Sequence, residues 1–577
     1  MNNIQSLYRV IPAKKKTFFW FILILVFGKS LFDLISLGSI IPLIYAIFDP
    51  VKLVENVNLD FLSLDFLSLE KFSELEIIYY STIFIFIIFL VKNIYVIIFN
   101  YLMARFLRSI FVDLSNRAFS NSLKLFDGSS EKYNSNELTK IIFQELNGFT
   151  YKILNSFFII CTDVLFIILF LIFLVFQGNI LIFLFVSPLL ITGMVYYLIL
   201  NKYVKRIGDK RLEYDTNRLK GLQESYALIK VIRVLNKIKN FEYYVDRFSF
   251  KSVDQGTKFT LISKFLIVII EILVITILCY SIFYFSNNID VFKTLLPVFI
   301  LIFISSIKFI PMISRLTLAF QKLKFNEAAT NRIYDLSNKE IQSNFSEKKE
   351  INFNNSIVFN NVSFYYEKEK QKKIIFKNLN FEIKKNQCYG IVGPSGSGKS
   401  TFLEIICGLL ETSEGSIICD NKEFNQKKNK LKSSYVTQDT RILNTSLKKN
   451  ITLNLKTVDD NFDEEKYYKS IKKSNLLNFV NQLKDKDETI LGEFGSTISG
   501  GQKQRIGIAR ALYHDSSMLI LDEFTSSLDE KTEKSVLEDI RGLKNDKTII
   551  LSTHKKNILS ICDQVYRIDN LKLKKED

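Results

Sequence analysis

The second half of the chain is built around Gly393-Pro394-Ser395-Gly396-Ser397-Gly398-Lys399-Ser400-Thr401, which fits the pattern G-x-x-x-x-G-K-[ST]. An apolar run, Tyr389 to Val392, predicts a strand before this loop, and Thr401 to Leu410 predicts a helix after it. Backbone N–H groups of such a loop surround phosphate oxygens, and the following helix presents its positive end to them. Lys399 adds a charge at the β- and γ-phosphates, and Ser400 is placed to bind Mg²⁺. The stretch therefore predicts a site for a nucleoside triphosphate.

Composition indicates a membrane protein of more than one domain. The 577 residues include 52 Phe, 48% are hydrophobic, and the mean hydropathy is +0.15. A formal charge of +17 would suit nucleic-acid binding in a soluble protein, but the sequence has no nucleic-acid-binding motif. Membrane proteins collect Lys and Arg on their cytoplasmic side, which explains the charge without nucleic acid. The six scattered cysteines indicate reduced thiols rather than a disulfide or zinc framework.

Six apolar runs are long enough to cross a membrane, which makes a soluble protein with buried core helices the poorer interpretation. They occupy 17–48, 77–102, 153–176, 179–200, 259–286 and 294–318. Lys and Arg concentrate in 103–150 and 201–258, so these segments, both termini and everything after 318 are predicted to be cytoplasmic. Both segments continue the helical pattern beyond membrane thickness. Their turn regions, Phe126–Thr139 and Leu222–Val234, are candidates for contact with the nucleotide-binding part.

The predicted fold is multidomain: an all-α transmembrane domain of six helices, followed by an α/β P-loop nucleotide-binding domain. Residues 1–16 mix apolar and basic side chains and predict an amphipathic elbow on the cytoplasmic face. The transmembrane domain is predicted to extend over 17–320 and a polar linker over 321–356. Strand and helix patterns alternate from Ile357, so 357–577 are predicted to form the α/β domain.

Two further motifs supply groups for phosphate chemistry. The apolar run Ser517 to Leu521 predicts a buried strand that ends in Asp522 and Glu523. One carboxylate at such a strand end can hold Mg²⁺, and a second can orient or deprotonate water. Upstream, Ser499-Gly500-Gly501-Gln502 is a glycine-rich turn before a helix, and therefore a second potential anion site.

With these motifs in this order, the second half of the chain resembles an ABC-transporter nucleotide-binding domain. Gly393 to Thr401 matches Walker A, Met518 to Glu523 matches Walker B, and Ser499 to Gln502 matches the ABC signature. Further matches are the Q-loop Gln438, the D-loop Ser526-Ser527-Leu528-Asp529, the switch histidine His554, the adenine-stacking Tyr366 and the exporter-type acidic loop Glu493-Phe494-Gly495. Ile498, Ser527 and Lys555 depart from the residues usual in the family, but none of them removes a catalytic atom.

The resemblance implies ATP and Mg²⁺ as cofactors and ATP hydrolysis as the reaction. It implies Glu523 and His554 as catalytic residues, and Ser400, Gln438 and Asp522 as Mg²⁺ ligands. The implied ATP contacts are Tyr366, the nine residues of the phosphate loop, Gln438, Ser499, Gly500, Gly501, Gln502 and Asp529. In this family the signature of one subunit closes on the Walker A nucleotide of another, so one ATP domain with six spans implies a half-transporter. A homodimer is the simplest assembly, and pairing with a different half-transporter is the alternative.

Charged residues inside the predicted spans need partners or a task, because each costs about 2.5–3.5 kcal/mol at a helix centre. Lys29 and Asp33 are four residues apart and can pair on one helix face. Lys308 and Arg315 share one face of the sixth span, and Lys92 lies deep enough in the second span to meet them across a cavity. Unless Asp163 and Glu271 neutralise these cations, Lys92, Lys308 and Arg315 suit an anionic head group such as a phosphate or diphosphate.

The membrane part also resembles bacterial flippases for lipid-linked oligosaccharides, through Leu102-Met103-Ala104-Arg105-Phe106, Lys308 to Arg315, and the short external segment between the first two spans. Those flippases carry arginines, assigned to the diphosphate of the lipid carrier, at the positions of Lys92, Lys308 and Arg315. Lysine keeps the charge but lacks the bidentate fork. The resemblance implies an inner-membrane transporter of an anionic lipid-linked substrate, a polyprenyl-diphosphate oligosaccharide or related glycolipid. Alternatives are an exporter of other lipids, peptides or drugs, and an ATP-gated channel or regulatory membrane protein.

Overall fold

The computed structural model describes residues 8, 10–40, 43, 44, 47, 74–125, 135–177, 180–285, 289–338, 348–368, 371–426, 428–456, 462–525 and 528–576. They divide into two compact units, with the border in the sequence near residue 341. Several predictions concern residues outside this set: most of the N-terminal elbow, the external segment between the first two spans, 126–134 of the first turn region, 339–347 of the linker, and Ser526 and Ser527.

The first unit is helical, as predicted for the membrane domain. Its helices are α1 (Lys16–Gly38), α2 (Glu74–Leu125), α3 (Ser135–Lys140), α4 (Asn155–Gln177), α5 (Ile180–Ala227), α6 (Ile229–Val234), α7 (Ile238–Phe285), α8 (Ile289–Phe325) and α9 (Glu327–Asn338). A 3₁₀ turn, Ala13–Lys15, precedes α1. Two π-helical segments, Ile141–Glu145 and Phe149–Leu154, lie between α3 and α4 on either side of Leu146–Gly148.

Four stretches of the described residues are long and apolar enough to cross a membrane: Ala13–Gly38, Ile78–Leu123, Glu137–Phe173 and Ile238–Tyr284. The other two predicted spans, 179–200 and 294–318, overlap α5 and α8. Helix α2 has 52 residues, about 78 Å at 1.5 Å per residue, whereas the hydrocarbon core of a bilayer is about 30 Å thick. It is therefore much longer than a span, as the helical pattern of 103–150 predicts.

Aromatic side chains join these helices. The ring of Phe106 on α2 lies 5.3 Å from that of Phe18 on α1 and 5.9 Å from that of Phe158 on α4, measured between ring centres. The rings of Phe170 on α4 and Phe309 on α8 are 4.8 Å apart. On the outer face of α2, apolar side chains remain exposed in the isolated chain, as is typical of a surface that faces lipid.

The second unit is an α/β domain, as predicted. Its strands are β1 (Lys349–Ile351), β2 (Ser356–Lys368), β3 (Gln371–Lys384), β4 (Cys388–Val392), β5 (Glu414–Cys419), β6 (Lys422–Glu423), β7 (Asn429–Leu431), β8 (Ser433–Val436), β9 (Met518–Asp522), β10 (Thr548–Ser552), β11 (Gln564–Asp569) and β12 (Lys572–Glu576). Its helices are α10 (Lys399–Ile406), α11 (Leu447–Thr452), α12 (Glu464–Lys473), α13 (Leu477–Gln482), α14 (Gly500–Tyr513), α15 (Glu530–Gly542) and α16 (Lys556–Leu559).

The main sheet has the strand order β12-β11-β4-β10-β9-β8, and all its pairs except β11–β12 are parallel. A smaller antiparallel sheet has the order β3-β2-β5-β6, and β1 pairs with β7. Helix α10 packs into the core that the two sheets share: Phe402 lies 5.3 Å from Phe381, between ring centres, and both belong to one buried cluster with Ile391. The strand and helix predicted around the phosphate loop are thus present as β4 and α10, although α10 ends at Ile406.

Candidate nucleotide-binding site

The topology of the main sheet collects the predicted catalytic residues at one edge. β9 ends at Asp522, which Glu523 follows, and β10 ends at Ser552, two residues before His554. Gln438 follows β8 by two residues, and β4 leads into the phosphate loop. Because β8, β9, β10 and β4 run parallel, their carboxyl ends meet at this edge.

The phosphate loop uses backbone conformations that glycine adopts readily. Gly396 and Gly398 have φ angles of +79° and +100°, and a Cβ on Gly398 would lie 2.7 Å from Cγ2 of Ile375. The Ser397 hydroxyl is buried and makes no hydrogen bond to any described residue. A buried polar group without a partner, in a loop that opens a helix, fits a phosphate, whose oxygens all accept hydrogen bonds.

Four predicted side chains meet beside this loop. Gln438 Nε2 donates to Glu523 Oε2 at 2.7 Å, and Glu523 Oε1 lies 3.1 Å from His554 Nε2. The Lys399 ammonium lies 3.0 Å from the same ring nitrogen and donates to the Gly393 carbonyl at 3.0 Å. One nitrogen of His554 thus faces a cation and a carboxylate. This nitrogen accepts a hydrogen bond from Lys399 when it carries no proton, and donates a hydrogen bond to Glu523 when it is protonated.

The backbone of Glu523 is itself unusual. Its φ of +44° lies in the left-handed region, which glutamate seldom adopts. The Glu523 N–H donates to the Ser552 carbonyl at 3.1 Å, which holds this conformation in place. Such conformations cost about 1–3 kcal/mol and concentrate at functional sites.

Asp522 is fixed by two residues that sequence reasoning missed. The Tyr435 hydroxyl donates to Asp522 Oδ2 at 3.1 Å, and the Ser552 hydroxyl donates to Oδ1. Burial, reinforced by the negative charge of Asp522, raises the pKa of Tyr435 far above its usual range, so the phenol keeps the proton that it donates. Each of the two stands two or three residues before a recognised motif residue. That spacing does not show, however, which side chain meets the carboxylate.

The residues predicted for Mg²⁺ and adenine suit these ligands. Ser400, Gln438 and Asp522 offer a hydroxyl, an amide and a carboxylate, and all three are oxygen donors of the kind that Mg²⁺ prefers. The Tyr366 hydroxyl lies 3.4 Å from Thr401 Oγ1, which places its ring beside the start of α10. An aromatic ring at this position is suited to stacking on a base.

The signature residues and Asp529 make local contacts instead of joining this group. Ser499 Oγ accepts from Gln502 N at 3.2 Å, and Gln502 Oε1 accepts from Ser499 N at 2.7 Å, which closes a capping box at the start of α14. Asp529 caps α15, and its hydrogen bonds from Thr532 lower its pKa. One chain therefore brings Lys399, Gln438, Glu523 and His554 together, but not Ser499–Gln502 or Asp529.

A second candidate site lies in the helical unit, where Lys29, Asp33, Lys92, Asp163, Lys308 and Arg315 form what we call the membrane charge cluster. Asp33 Oδ1 lies 3.2 Å from Lys92 Nζ and 3.1 Å from Lys308 Nζ. Arg315 donates from Nε and Nη2 to the two oxygens of Asp163, at 3.2 and 2.9 Å. The structure therefore brings the three predicted substrate residues into one cluster and places a carboxylate against each of them.

The pairing predicted for Lys29 and Asp33 along one helix is wrong. Asp33 pairs instead with lysines from α2 and α8, and the Lys29 ammonium lies 5.0 Å from the centre of the Phe99 ring. Helical spacing finds partners on one helix only, and here residues from other helices come closer. Asp163 does neutralise Arg315, whereas the Glu271 side chain is exposed.

Parts of this sequence are similar to known proteins. Residues 376–526 match the family model described as ABC transporter. The chain is 28% identical over 275 residues to an ATP-dependent lipid A-core flippase of Mannheimia succiniciproducens, covering 47% of this chain and 46% of that protein. It is 34% identical over 262 residues to the lactococcin-G-processing and transport ATP-binding protein LagD of Lactococcus lactis subsp. lactis, covering 44% and 36%. The chain thus spans less than half the length of each of these relatives.

The fold of the whole chain has a solved counterpart. A bacterial Atm1-family ABC exporter with ATP bound superposes with a TM-score of 0.77 over 95% of both chains, at 19% sequence identity. That likeness covers the helical unit as well as the nucleotide-binding domain. Residues 376–526 therefore carry the sequence of an ABC transporter nucleotide-binding domain, and the whole chain has the fold of an ABC exporter, a helical region followed by that domain.

Proposed function

We propose that this chain is a membrane transporter driven by ATP hydrolysis. The observation that carries the proposal is the contact of Glu523 with both Gln438 and His554, beside Lys399, at the sheet edge where the phosphate loop begins. Lys399 and the loop N–H groups would hold the phosphates, and Ser400, Gln438 and Asp522 would hold Mg²⁺. The bound cation would neutralise charge on the phosphates and orient them.

Glu523 is the proposed general base. Its carboxylate is held through one oxygen by Gln438 and lies beside His554 through the other, so it can orient an attacking water and take its proton. Lys399 needs only to exchange the Gly393 carbonyl for a phosphate oxygen, which favours a charge-assisted contact. His554 can then donate from Nε2 to an oxygen that gains negative charge.

The second half of each ATP site would come from a second copy of the chain. Ser499, Gly500 and Gly501 begin α14, whose positive end suits a phosphate, and Asp529 lies in the loop expected beside them. In the proposed homodimer, closure of the two nucleotide-binding domains passes through 126–139 and 222–234 to the spans. The cavity then opens outward, and hydrolysis resets it. Both termini would lie in the cytoplasm, at the inner membrane.

The proposed substrate is an anionic lipid-linked molecule, a polyprenyl-diphosphate oligosaccharide or related glycolipid. Lys92, Lys308 and Arg315 support this, because these three cations have only the two carboxylates of Asp33 and Asp163 as ion-pair partners in the described residues, within the region expected in the membrane, where an unbalanced charge is costly. Similarity to a protein described as a lipid A-core flippase points to the same class of substrate.

Reconstitution in liposomes tests the proposal. A fluorescent polyprenyl-diphosphate lipid is followed as it moves between leaflets with and without ATP. Replacing Lys92, Lys308 and Arg315 together by glutamine is expected to lower ATP-dependent flipping at least about tenfold, a loss of about 1.4 kcal/mol. The matched control replaces Lys202, Arg206 and Lys210, three exposed cations of α5, and is expected to keep the wild-type rate. Flipping that survives the first triple change would remove the head-group assignment.

A further inference from the structure

A cavity of the α/β domain lies at the edge of the main sheet opposite the candidate nucleotide-binding site. Its volume is about 570 Å³, which is within the size range of small-molecule sites. Residues that come before β8, β9 and β10 line it, whereas the predicted catalytic residues follow the same parallel strands. Six lysines contribute to its lining, and we call it the lysine pocket: Lys385, Lys432, Lys466, Lys469, Lys473 and Lys547.

The register of the sheet places two of these lysines in one row. The first residues of β8, β9 and β10 pair with one another, so the residues just before them, Lys432, Ser517 and Lys547, stand side by side. Neighbouring strands are about 4.8 Å apart. The Lys547 ammonium donates to Asp515 Oδ1 at 2.8 Å and to the Ser516 carbonyl at 2.6 Å. Lys547 therefore has its own carboxylate, which Lys432 lacks among the described residues.

Helix α12 contributes three more lysines from one of its sides. Lys466, Lys469 and Lys473 are three and four residues apart, so their side chains follow one another along the helix. Tyr467 and Ile471 of the same helix are buried in an apolar cluster. This packing fixes the rotation of α12 and keeps the three lysines at the cavity.

The lining of the lysine pocket carries more positive than negative charge. Its six lysines face the carboxylates of Asp515 and Asp546, and Lys466 also lies 3.7 Å from Asp463, so a formal surplus of three positive charges remains. The lysines without an ion pair to any described residue are Lys385, Lys432, Lys469 and Lys473. Like charges that line one cavity repel each other, so an anion that binds between them stabilises the domain.

The chemistry of the lining favours a compact phosphate compound. Phe353 is the aromatic residue among the described residues of the lining, and it is only 1% exposed, so a nucleobase has no ring on which to stack. Lysine ammonium groups bind phosphate oxygens as point charges. Phosphate groups carry more charge in a given volume than the carboxylates of a peptide, so a small phosphate compound can match the surplus inside the cavity.

We propose that the lysine pocket binds a soluble anion with several phosphate groups, such as a short polyphosphate chain, at a site separate from the candidate nucleotide-binding site. Strands β8, β9 and β10 begin at this pocket and end just before Gln438, Glu523 and His554. The anion would therefore contact the residues that begin the strands whose other ends position the predicted catalytic side chains. Binding at this pocket does not depend on which substrate the chain transports.

Calorimetric titration of the full chain with inorganic tripolyphosphate tests the proposal. The protein is held in nanodiscs of zwitterionic lipid, and saturating ADP occupies the candidate nucleotide-binding site. Replacing Lys466, Lys469 and Lys473 together by glutamine is expected to weaken tripolyphosphate binding at least about tenfold. The matched control replaces three exposed lysines of the same domain outside the pocket, Lys422, Lys484 and Lys572, and is expected to bind like the wild type.

Two further measurements separate lost binding from damaged folding. Tripolyphosphate is expected to raise the thermal midpoint of the wild type but not that of the glutamine variant, because only a ligand that binds the folded state shifts the midpoint. Without tripolyphosphate the two midpoints are expected to agree, since the three lysines of α12 are exposed or half-buried. Arginine at the same three positions keeps the charge and is expected to restore most of the affinity.

Three results would overturn the proposal. The first is a wild type that does not bind tripolyphosphate under these conditions. The second is equal binding by the glutamine variant and its control, because tripolyphosphate would then respond at most to the net charge of the domain. The third is a glutamate-rich peptide of the same charge that binds more tightly than tripolyphosphate, which would assign the pocket to an acidic protein segment.

Discussion

Gln438 donates a hydrogen bond of 2.7 Å from Nε2 to Oε2 of Glu523. This bond links the loop after β8 to the residue after β9, and it leaves Oε1 facing His554. A predicted Mg²⁺ ligand is thus in direct contact with the proposed base, so a movement of Gln438 would change the position of the carboxylate.

Glu523→Gln is expected to lower ATP hydrolysis by about 10²–10⁴-fold and to leave nucleotide binding intact, because the amide cannot take a proton from water. Phosphate release and nucleotide binding are measured on the same preparation. Glu465→Gln, at an exposed position of α12, is the matched control and is expected to hydrolyse ATP at the wild-type rate. Undiminished hydrolysis in Glu523→Gln would exclude this residue as the base.

Tyr435→Phe is expected to raise the Mg²⁺ concentration for half-maximal ATPase activity by about tenfold, because it removes the hydroxyl that orients Asp522. The ATPase rate is titrated with Mg²⁺ at saturating ATP. Tyr468→Phe removes a hydroxyl from an exposed side chain and is expected to leave the titration unchanged. A Mg²⁺ titration of Tyr435→Phe that matches that of Tyr468→Phe would mean that the Tyr435 hydroxyl does not orient Asp522 for the cation.

Mixing two inactive variants tests whether the signature acts on a second chain. Lys399→Ala damages the phosphate loop and Ser499→Arg the signature, so each alone is expected to be inactive. Random pairing makes about half of the dimers mixed, each with one intact site, so about a quarter of the wild-type ATPase activity should return. If the phosphate loop and the signature of one chain acted on the same ATP, co-expression of the two variants would restore no ATPase activity.

Glu404 on α10 provides a pH-dependent prediction. Burial, with a contribution from Asp522, raises the pKa of this carboxyl above its ordinary range. A raised pKa means that folding favours the protonated form, so the ionised form costs stability once the pH exceeds that pKa. Glu404→Gln is therefore expected to raise the thermal midpoint by up to about 2 °C at pH 8, with the gain vanishing as the pH falls towards the ordinary range of glutamate. If Glu404→Gln raised the thermal midpoint equally at pH 8 and near the ordinary pKa range of glutamate, the gain would not come from the titration of Glu404.

The nucleotide-binding domain could be predicted from the sequence because its chemistry depends on short motifs of residues that are close together in the chain. The phosphate loop needs glycines at fixed spacing, and the strand before Asp522 is a continuous apolar run bounded by carboxylates. Parallel strands then bring such motifs to one edge of the sheet whatever their separation in the chain. The contacts of Tyr435 and Ser552 with Asp522 were not readable, because they depend on the register of neighbouring strands.

The ion-pair partners of the charged residues in the predicted spans could not be predicted from the sequence. Spacing along a helix identified Lys308 and Arg315 as neighbours and suggested Lys29 as the partner of Asp33. The observed partners of Asp33 come from two other helices, Lys92 from α2 and Lys308 from α8. Helix packing angles and rotations decide such contacts, and a single sequence does not contain them in any local pattern.

The left-handed backbone of Glu523 lowers the stability of the fold, whereas its carboxylate is needed for the proposed hydrolysis. Glycine or asparagine would adopt its φ of +44° more easily, so Glu523→Gly or Glu523→Asn is expected to gain about 1 kcal/mol of folding free energy while hydrolysis is lost. A copy of this chain released from the proposed ATP hydrolysis would therefore be expected to drift towards these residues. A glutamate at this position therefore lowers the stability of the fold slightly, and the proposed hydrolysis is the reason that we infer for keeping it.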